Sequence, residues 1–392
     1  MGDHQDGIES KVDLSNWRFP PYNRWAFQHV SELVESVDIK NDSSNNWELT
    51  CNYQSIDDVS VKSKDGSDIT FDEFLEQSFT DGFMVIKDQE IIYEKYLNGM
   101  DEKSKHILMS VSKSVLGVVS GILIDQKQMS ADTLISDCIP ELKNSGYADC
   151  TIQNLLDMTA SVNFEEDYYA ISGPMIEYRR STNWDPPEDK MSGKDLKSFL
   201  IGMEGKPAPH GETFKYTSPN SDLLGWVIER STGSKFQEVM SEVLWKPLGA
   251  ADTAYVTVDE SGSPRTAGGM NMTLRDLALI GNLVANGGYR GKKQIISNKW
   301  LGQLFDGDRK AWESGNFAEY FGGMPITYRN QWYTLNQTNP ILFCVGIYGQ
   351  YMFVDLNNKI VIAKFSSQEY PLDADQKKVM TNACLSIINH II

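Results

Sequence analysis

Apolar positions along this chain follow two rhythms, a two-residue alternation near both ends and a three-to-four-residue spacing between them. Residues 83–97, FMVIKDQEIIYEKYL, alternate on either side of KDQE and predict a β-hairpin. Residues 350–367, QYMFVDLNNKIVIAKFSS, repeat the pattern and turn at LNN. Helical spacing appears first over 23–36, in Trp25, Phe27, Val30, Leu33 and Val34, and the chain closes on an amphipathic helix, DQKKVMTNACLSIINHII. From 107 to about 250 helical patterns dominate, as in TIQNLLDMTA, DLLGWVIERSTG and FQEVMSEVLWKPLG. Strands at both ends with helices between them predict an α/β (α+β) fold. Its antiparallel sheet is assembled from residues 1–105 and 266–392, flanked by helices, and a mostly helical domain, 106–265, is inserted. Two consecutive domains would leave the 83–97 hairpin short of partner strands.

The most apolar of these helices has a polar head. ILMSVSKSVLGVVSGILIDQ (107–126) places Ser110 and Lys113 at i and i+3, on one helical face. In the first turn of a helix, free N–H groups and the dipole favour an oxyanion at Ser110. Burial lowers a lysine pKa, which lets Lys113 take the serine proton. The competing reading makes Ser110 an N-cap and lets Lys113 reach solvent along its aliphatic stem. A second candidate is HGETFKYTSPNSDLLGWVIERSTG (210–233), where Tyr216 precedes a helix and is followed at i+2 by a hydroxyl. It reads either as an acid/base or as an aromatic packed on a turn capped by Ser218 or Ser221. A third is LFCVGIYGQYMFVD (342–355), in which Gly346 and Gly349 let backbone approach a ligand and the Ile347 N–H can face an oxyanion. A bulge at a sheet edge would look the same.

Composition narrows the partners. With 392 residues, 41% hydrophobic, the chain can bury a large core. Its net charge of −18 argues against nucleic acid and anionic membrane, which need clustered Lys and Arg. Five scattered cysteines and five dispersed histidines suggest neither a disulfide framework nor a metal site, and no cofactor is expected. Residues 1–17 carry neither the basic nor the apolar region of a secretory leader, so a cytoplasmic protein is expected. The pattern leaves oligomeric state, including a homodimer, open.

Taken in order, Ser-x-x-Lys, Tyr-x-Ser and the glycine-containing strand resemble the serine β-lactamase and penicillin-binding-protein superfamily, in its class C and carboxylesterase-like branch. MSVSKSVLG, GETFKYTSPNSDLLGWVIE and GGMNMTLRDLALIGNLVANGG carry that resemblance. NWRFPPYNRWAFQHV, LLDMTASVNFEEDYY and GIYGQ are similar to the 6-aminohexanoate-dimer hydrolases of the same branch, so the likeness runs from about residue 15 to the end. The resemblance implies a β-lactamase/DD-peptidase-like fold and a hydrolase acting through an acyl-enzyme on small linear amides or esters. Ser110 would be the nucleophile. Lys113 would take its proton or keep Tyr216 ionised, Tyr216 would protonate the leaving group, and the N–H groups of Ser110 and Ile347 would form the oxyanion hole. It further implies substrate contacts from Tyr168, on a loop closing over the substrate, with Trp184 beside it, and from Gly346.

Four positions depart from the pattern, and three of them, Tyr348, Arg179 and Ala267, are expected beside the substrate. Cys344 stands where β-lactam-processing members have Lys or His, and Tyr348 replaces the histidine of Gly-Ile-His-Gly-Gln. Arg179 and Ala267 fall where effective amide hydrolases of the group carry an acidic and a polar residue. An unpaired Arg179 would repel a substrate's ammonium end. A short-chain carboxylesterase and a non-catalytic binding protein on the same scaffold are the alternative expectations.

Overall fold

The computed structural model describes residues 11–56, 58–187, 195–206, 208–315 and 317–392. Its main sheet has eight strands, ordered Ile326–Arg329, Trp332–Leu335, Ile341–Gly346, Gln350–Asp355, Ile360–Ser366, Thr80–Lys87, Glu90–Tyr96 and Thr50–Cys51. All neighbours are antiparallel except the edge strand Thr50–Cys51, which runs parallel to Glu90–Tyr96. The expected hairpins are both present. The first turns through Asp88 and Gln89, whose φ of 50° and 69° match the twist of the flanking strands.

Period-two alternation sends side chains of this sheet to opposite faces. Met84, Ile86, Met352, Val354 and Ala363 pack with the helices Val111–Asp125 and Leu274–Ala285. Phe83, Val85, Phe353 and Ile362 pack with the C-terminal helix Ala374–Ile391. Val111–Asp125 is buried from Val111 through Leu123, which explains why its sequence is apolar all round. At Gly117 a Cβ would stand 2.4 Å from the Asn330 carbonyl oxygen, so the helix closes on the sheet only without a side chain there.

A smaller antiparallel sheet orders Ser36–Ile39, Ala254–Thr257, Met270–Thr273 and Lys105–Ile107. Its last strand leads directly into Met109 and Ser110. It joins strands from both sides of positions 106 and 265, so the helical region and the flanking segments share this sheet.

The helix expected over 23–36 is reduced to Asn23–Ala26 and a 3₁₀ turn at Val30–Glu32. His29, with φ −130° and ψ 29°, interrupts it. The apolar spacing instead feeds a loop-built cluster in which Trp17, Phe27, Val30 and Val34 meet Trp184 and Tyr348. Tertiary packing overrides the local periodicity here.

Candidate active site

Ser110 stands at the head of Val111–Asp125, but its side chain makes no capping bond to the helix. Met109 before it has φ 47°, a left-handed conformation that is uncommon for a non-glycine residue and tends to mark functional turns. Lys113 is 1% exposed, so the solvent-reaching alternative is ruled out. Its Nζ contacts Ser110 Oγ at 2.9 Å, Ser218 Oγ at 3.0 Å and the Ala267 carbonyl oxygen at 2.7 Å. Burial pulls its pKa down to about 8, against the opposing fields of the Glu166 and Asp222 carboxylates.

The surrounding bonds decide which way these contacts run. Ser218 donates its O–H to Glu166 Oε1, so it can only accept from Lys113. A carbonyl oxygen also only accepts. A neutral Lys113 therefore spends its two N–H groups on Ser218 and Ala267 and turns its lone pair toward Ser110. Glu166 is itself held by the Ser218 N–H at 2.5 Å and by the Tyr168 hydroxyl at 2.8 Å. Asp222 accepts from the Ala267 N–H at 2.7 Å and from the Tyr178 hydroxyl, which fixes the carbonyl that orients Lys113.

Tyr216 is buried, stacks on Phe317 at 4.9 Å and 5°, and has Lys113 Nζ 4.9 Å from its ring centre. It borders the same hollow as Ser110. Burial and the Glu166 charge push its pKa up, so the residue is a phenol that can donate rather than a phenolate base. Among the two roles expected of Lys113, this environment favours taking the serine proton directly.

Gly346 brings the Ile341–Gly346 strand against the serine turn, since a Cβ there would be 2.7 Å from the Leu108 carbonyl oxygen. The chain then turns through Tyr348 (φ 62°) and Gly349 (φ 90°). Among the described residues, neither the Ser110 nor the Ile347 N–H has an intramolecular acceptor. Ser110, Ile347 and Tyr168 border two hollows at once. One is aromatic, lined by Tyr216, Phe317, Tyr320, Phe321 and Tyr333, and Gly346 also borders it. The other carries Arg18, Arg179, Arg265, Glu166, Trp184 and Ala267.

Two expectations change. Arg179 is not unpaired, because its Nε donates to Asp185 at 2.8 Å. Tyr348 lines neither hollow and packs edge-on against Phe27, with ring centres 5.2 Å apart. Cys344 is fully buried in the core, where its pKa is raised to about 12. Sequence reasoning passed over Glu166, Asp222, Arg18, Arg265 and Phe317. Only Ser218 left a signal, as the hydroxyl two residues after Tyr216. It does not cap the helix but bridges Lys113 and Glu166. Among the described residues no group of three or more His, Cys, Asp or Glu side chains is placed to hold a metal ion. No helix there is long and apolar enough to cross a membrane.

The family model for β-lactamases matches residues 70–384. The chain belongs to the β-lactamase family. This β-lactamase-family chain is 32% identical over 360 residues to a 6-aminohexanoate-dimer hydrolase from Paenarthrobacter ureafaciens, covering 91% of it and 88% of the relative. It also superposes on a Bacillus anthracis structure provisionally given the same name, with TM-score 0.89, 27% identity and 98% of both chains covered. A family VIII carboxylesterase shares the fold at TM-score 0.58 and 15% identity, over 80% of this chain and 97% of that one. The protein is a hydrolase with a β-lactamase/penicillin-binding-protein-like fold.

Proposed function

We propose that this β-lactamase-family protein hydrolyses small linear amides and esters through an acyl-enzyme on Ser110. The observation that carries the reading is the buried Lys113 Nζ 2.9 Å from Ser110 Oγ, with acceptors at its other two contacts, so that once neutral it offers its lone pair to the Ser110 hydroxyl. Ser110 Oγ bonds to the substrate's carbonyl carbon while Lys113 takes the proton. The N–H groups of Ser110 and Ile347 face the oxyanion. The carbon–nitrogen or carbon–oxygen bond then breaks, Tyr216 protonates the leaving group, and Lys113 returns a proton to Tyr216. Water enters by the reverse path and releases the acid.

Tyr168 borders both hollows and is tethered by Glu166, which supports a place for it at the scissile bond. The relative's activity makes the linear 6-aminohexanoate dimer the first amide to try, and a family VIII carboxylesterase on the same fold makes short esters the second. The test is a panel of that dimer, p-nitrophenyl acetate and a chromogenic β-lactam, run on wild type and Ser110→Ala. We expect hydrolysis of the ester and, more slowly, of the dimer, whose acyl half ends in an ammonium, both abolished by the substitution. Cleavage of esters alone would favour the short-chain carboxylesterase, and turnover retained in Ser110→Ala would remove Ser110 from the mechanism. A wild-type enzyme inert toward all three substrates and toward a fluorophosphonate would favour a binding protein.

A further inference from the structure

The hollow away from Tyr216 is walled by three guanidinium groups. Arg18, Arg179 and Arg265 are 8%, 6% and 5% exposed and all border the space next to Ser110. Arg18 and Arg179 share a single carboxylate, Asp185. Arg265 has no carboxylate in ion-pair range among the described residues. Its Nη1 donates to Thr182 Oγ1 at 2.7 Å, and its guanidinium lies over the rings of Trp184 and Tyr178, at 4.0 and 4.5 Å from their centres. The Nε groups of Arg18 and Arg265 are buried without an acceptor.

The other carboxylates nearby, Glu166 and Asp222, accept their hydrogen bonds from other partners, while the Asp222 charge also acts on Arg265. Glu166, which also borders the hollow, accepts from the Ser218 N–H, the Ser218 O–H and Tyr168. Asp222 accepts from Tyr178 and the Ala267 N–H. Three buried cations thus face one another, and among the described residues Asp185 is the one carboxylate in ion-pair range of any of them. Leaving buried guanidinium donors unmatched is costly in a low-dielectric site, and an entering anion would relieve that cost. Burial lowers the Arg18 pKa, and repulsion from Arg179 and Arg265 adds to it against the attraction of Asp185.

We propose that this hollow is an acyl-side subsite for a negatively charged group, so that preferred substrates are amides or esters whose acyl chain ends in a carboxylate. The proposal rests on Ser110 being the nucleophile. Its direction follows from Tyr216, which protonates the leaving group and borders the aromatic hollow but not this one. The leaving amine or alcohol departs on the aromatic side, and the acyl chain left on Ser110 extends along the arginine wall. Water then displaces Ser110 and releases a dicarboxylic acid, with no oxidant or reductant involved.

Three p-nitrophenyl esters of one chain length test this: the monoester of adipic acid, its methyl ester, and the 6-aminohexanoate ester, each corrected for enzyme-free hydrolysis. We expect kcat/KM for the carboxylate to exceed that for the methyl ester by roughly tenfold or more, the size of one charge-assisted hydrogen bond, with the ammonium ester lowest. In Arg179→Gln and Arg18→Gln the ratio of carboxylate to methyl ester should fall toward one. If those variants fail to fold, the wild-type ratio decides. Equal rates, a preference for the ammonium ester, or no turnover of the carboxylate ester by a protein whose Ser110 still takes up a fluorophosphonate would each overturn the subsite alone. No turnover of any ester and no adduct on Ser110 would overturn both the subsite and the hydrolase mechanism.

Discussion

Two lysines of this protein are buried to the same degree and lead different lives. Lys113 and Lys364 are 1% and 0% exposed, and burial pulls their pKa values down to about 8 and about 7. Lys364 lies within the strand Ile360–Ser366, paired across to Tyr351 and Phe83. Its Nζ donates to the Ser78 carbonyl oxygen at 3.2 Å, and Asp81, itself bonded by His106 and Arg24, supports its charge. Lys364 borders neither hollow, whereas Lys113 touches a serine that opens onto both. A lowered pKa is a common product of burial. A base also needs a hydroxyl it can deprotonate and a place for substrate beside it.

The largest effect that would break this comparison comes from removing each amine. Lys113→Met should lower kcat/KM for p-nitrophenyl acetate by about 10³-fold or more. Lys364→Met should stay within about threefold of wild type, since its amine meets no reacting group. Comparable losses in the two variants would mean that burial, not placement, sets the outcome. Tyr216→Phe should cost about 10²-fold, and more on amides than on p-nitrophenyl esters, whose leaving group needs no proton.

A smaller effect sharpens the same point through pH. Lys113 acts as a neutral amine, so kcat/KM should rise with pH and level off above about 8, the value to which its pKa is lowered. Glu166 raises that pKa through its negative charge. Glu166→Gln should therefore move the rising limb to lower pH, measurable in a pH–rate profile with p-nitrophenyl acetate. A limb left in place would show that Glu166 acts only by holding Ser218 and Tyr168.

What the sequence reveals and what it hides divide along the same physical line. The Ser110–Lys113 pair is legible because i and i+3 share a helical face, and the hairpins because their alternation is local. The C-terminal helix is legible for the same reason. Glu166 and Ser218 are 52 residues apart, and Arg18 and Asp185 are 167 apart, so no periodicity links them. Arg179 and Asp185 are only six residues apart, but Asp185 lies beyond the end of the helix Pro174–Ser181, so helical spacing does not link them and an expected lone cation becomes one member of a wall. Residues 23–36 misled because apolar spacing reports burial, and here the burial is supplied by Trp184 and Tyr348 from distant segments.

The central claim, that Ser110 is acylated during turnover, has a direct test. The reaction with p-nitrophenyl acetate is quenched in acid within its first turnovers, and the digested protein is weighed by mass spectrometry. The mechanism predicts one added acetyl group on the peptide holding Ser110, absent from Ser110→Ala. Steady hydrolysis with no acetyl on Ser110, or with the label on another residue, would contradict it.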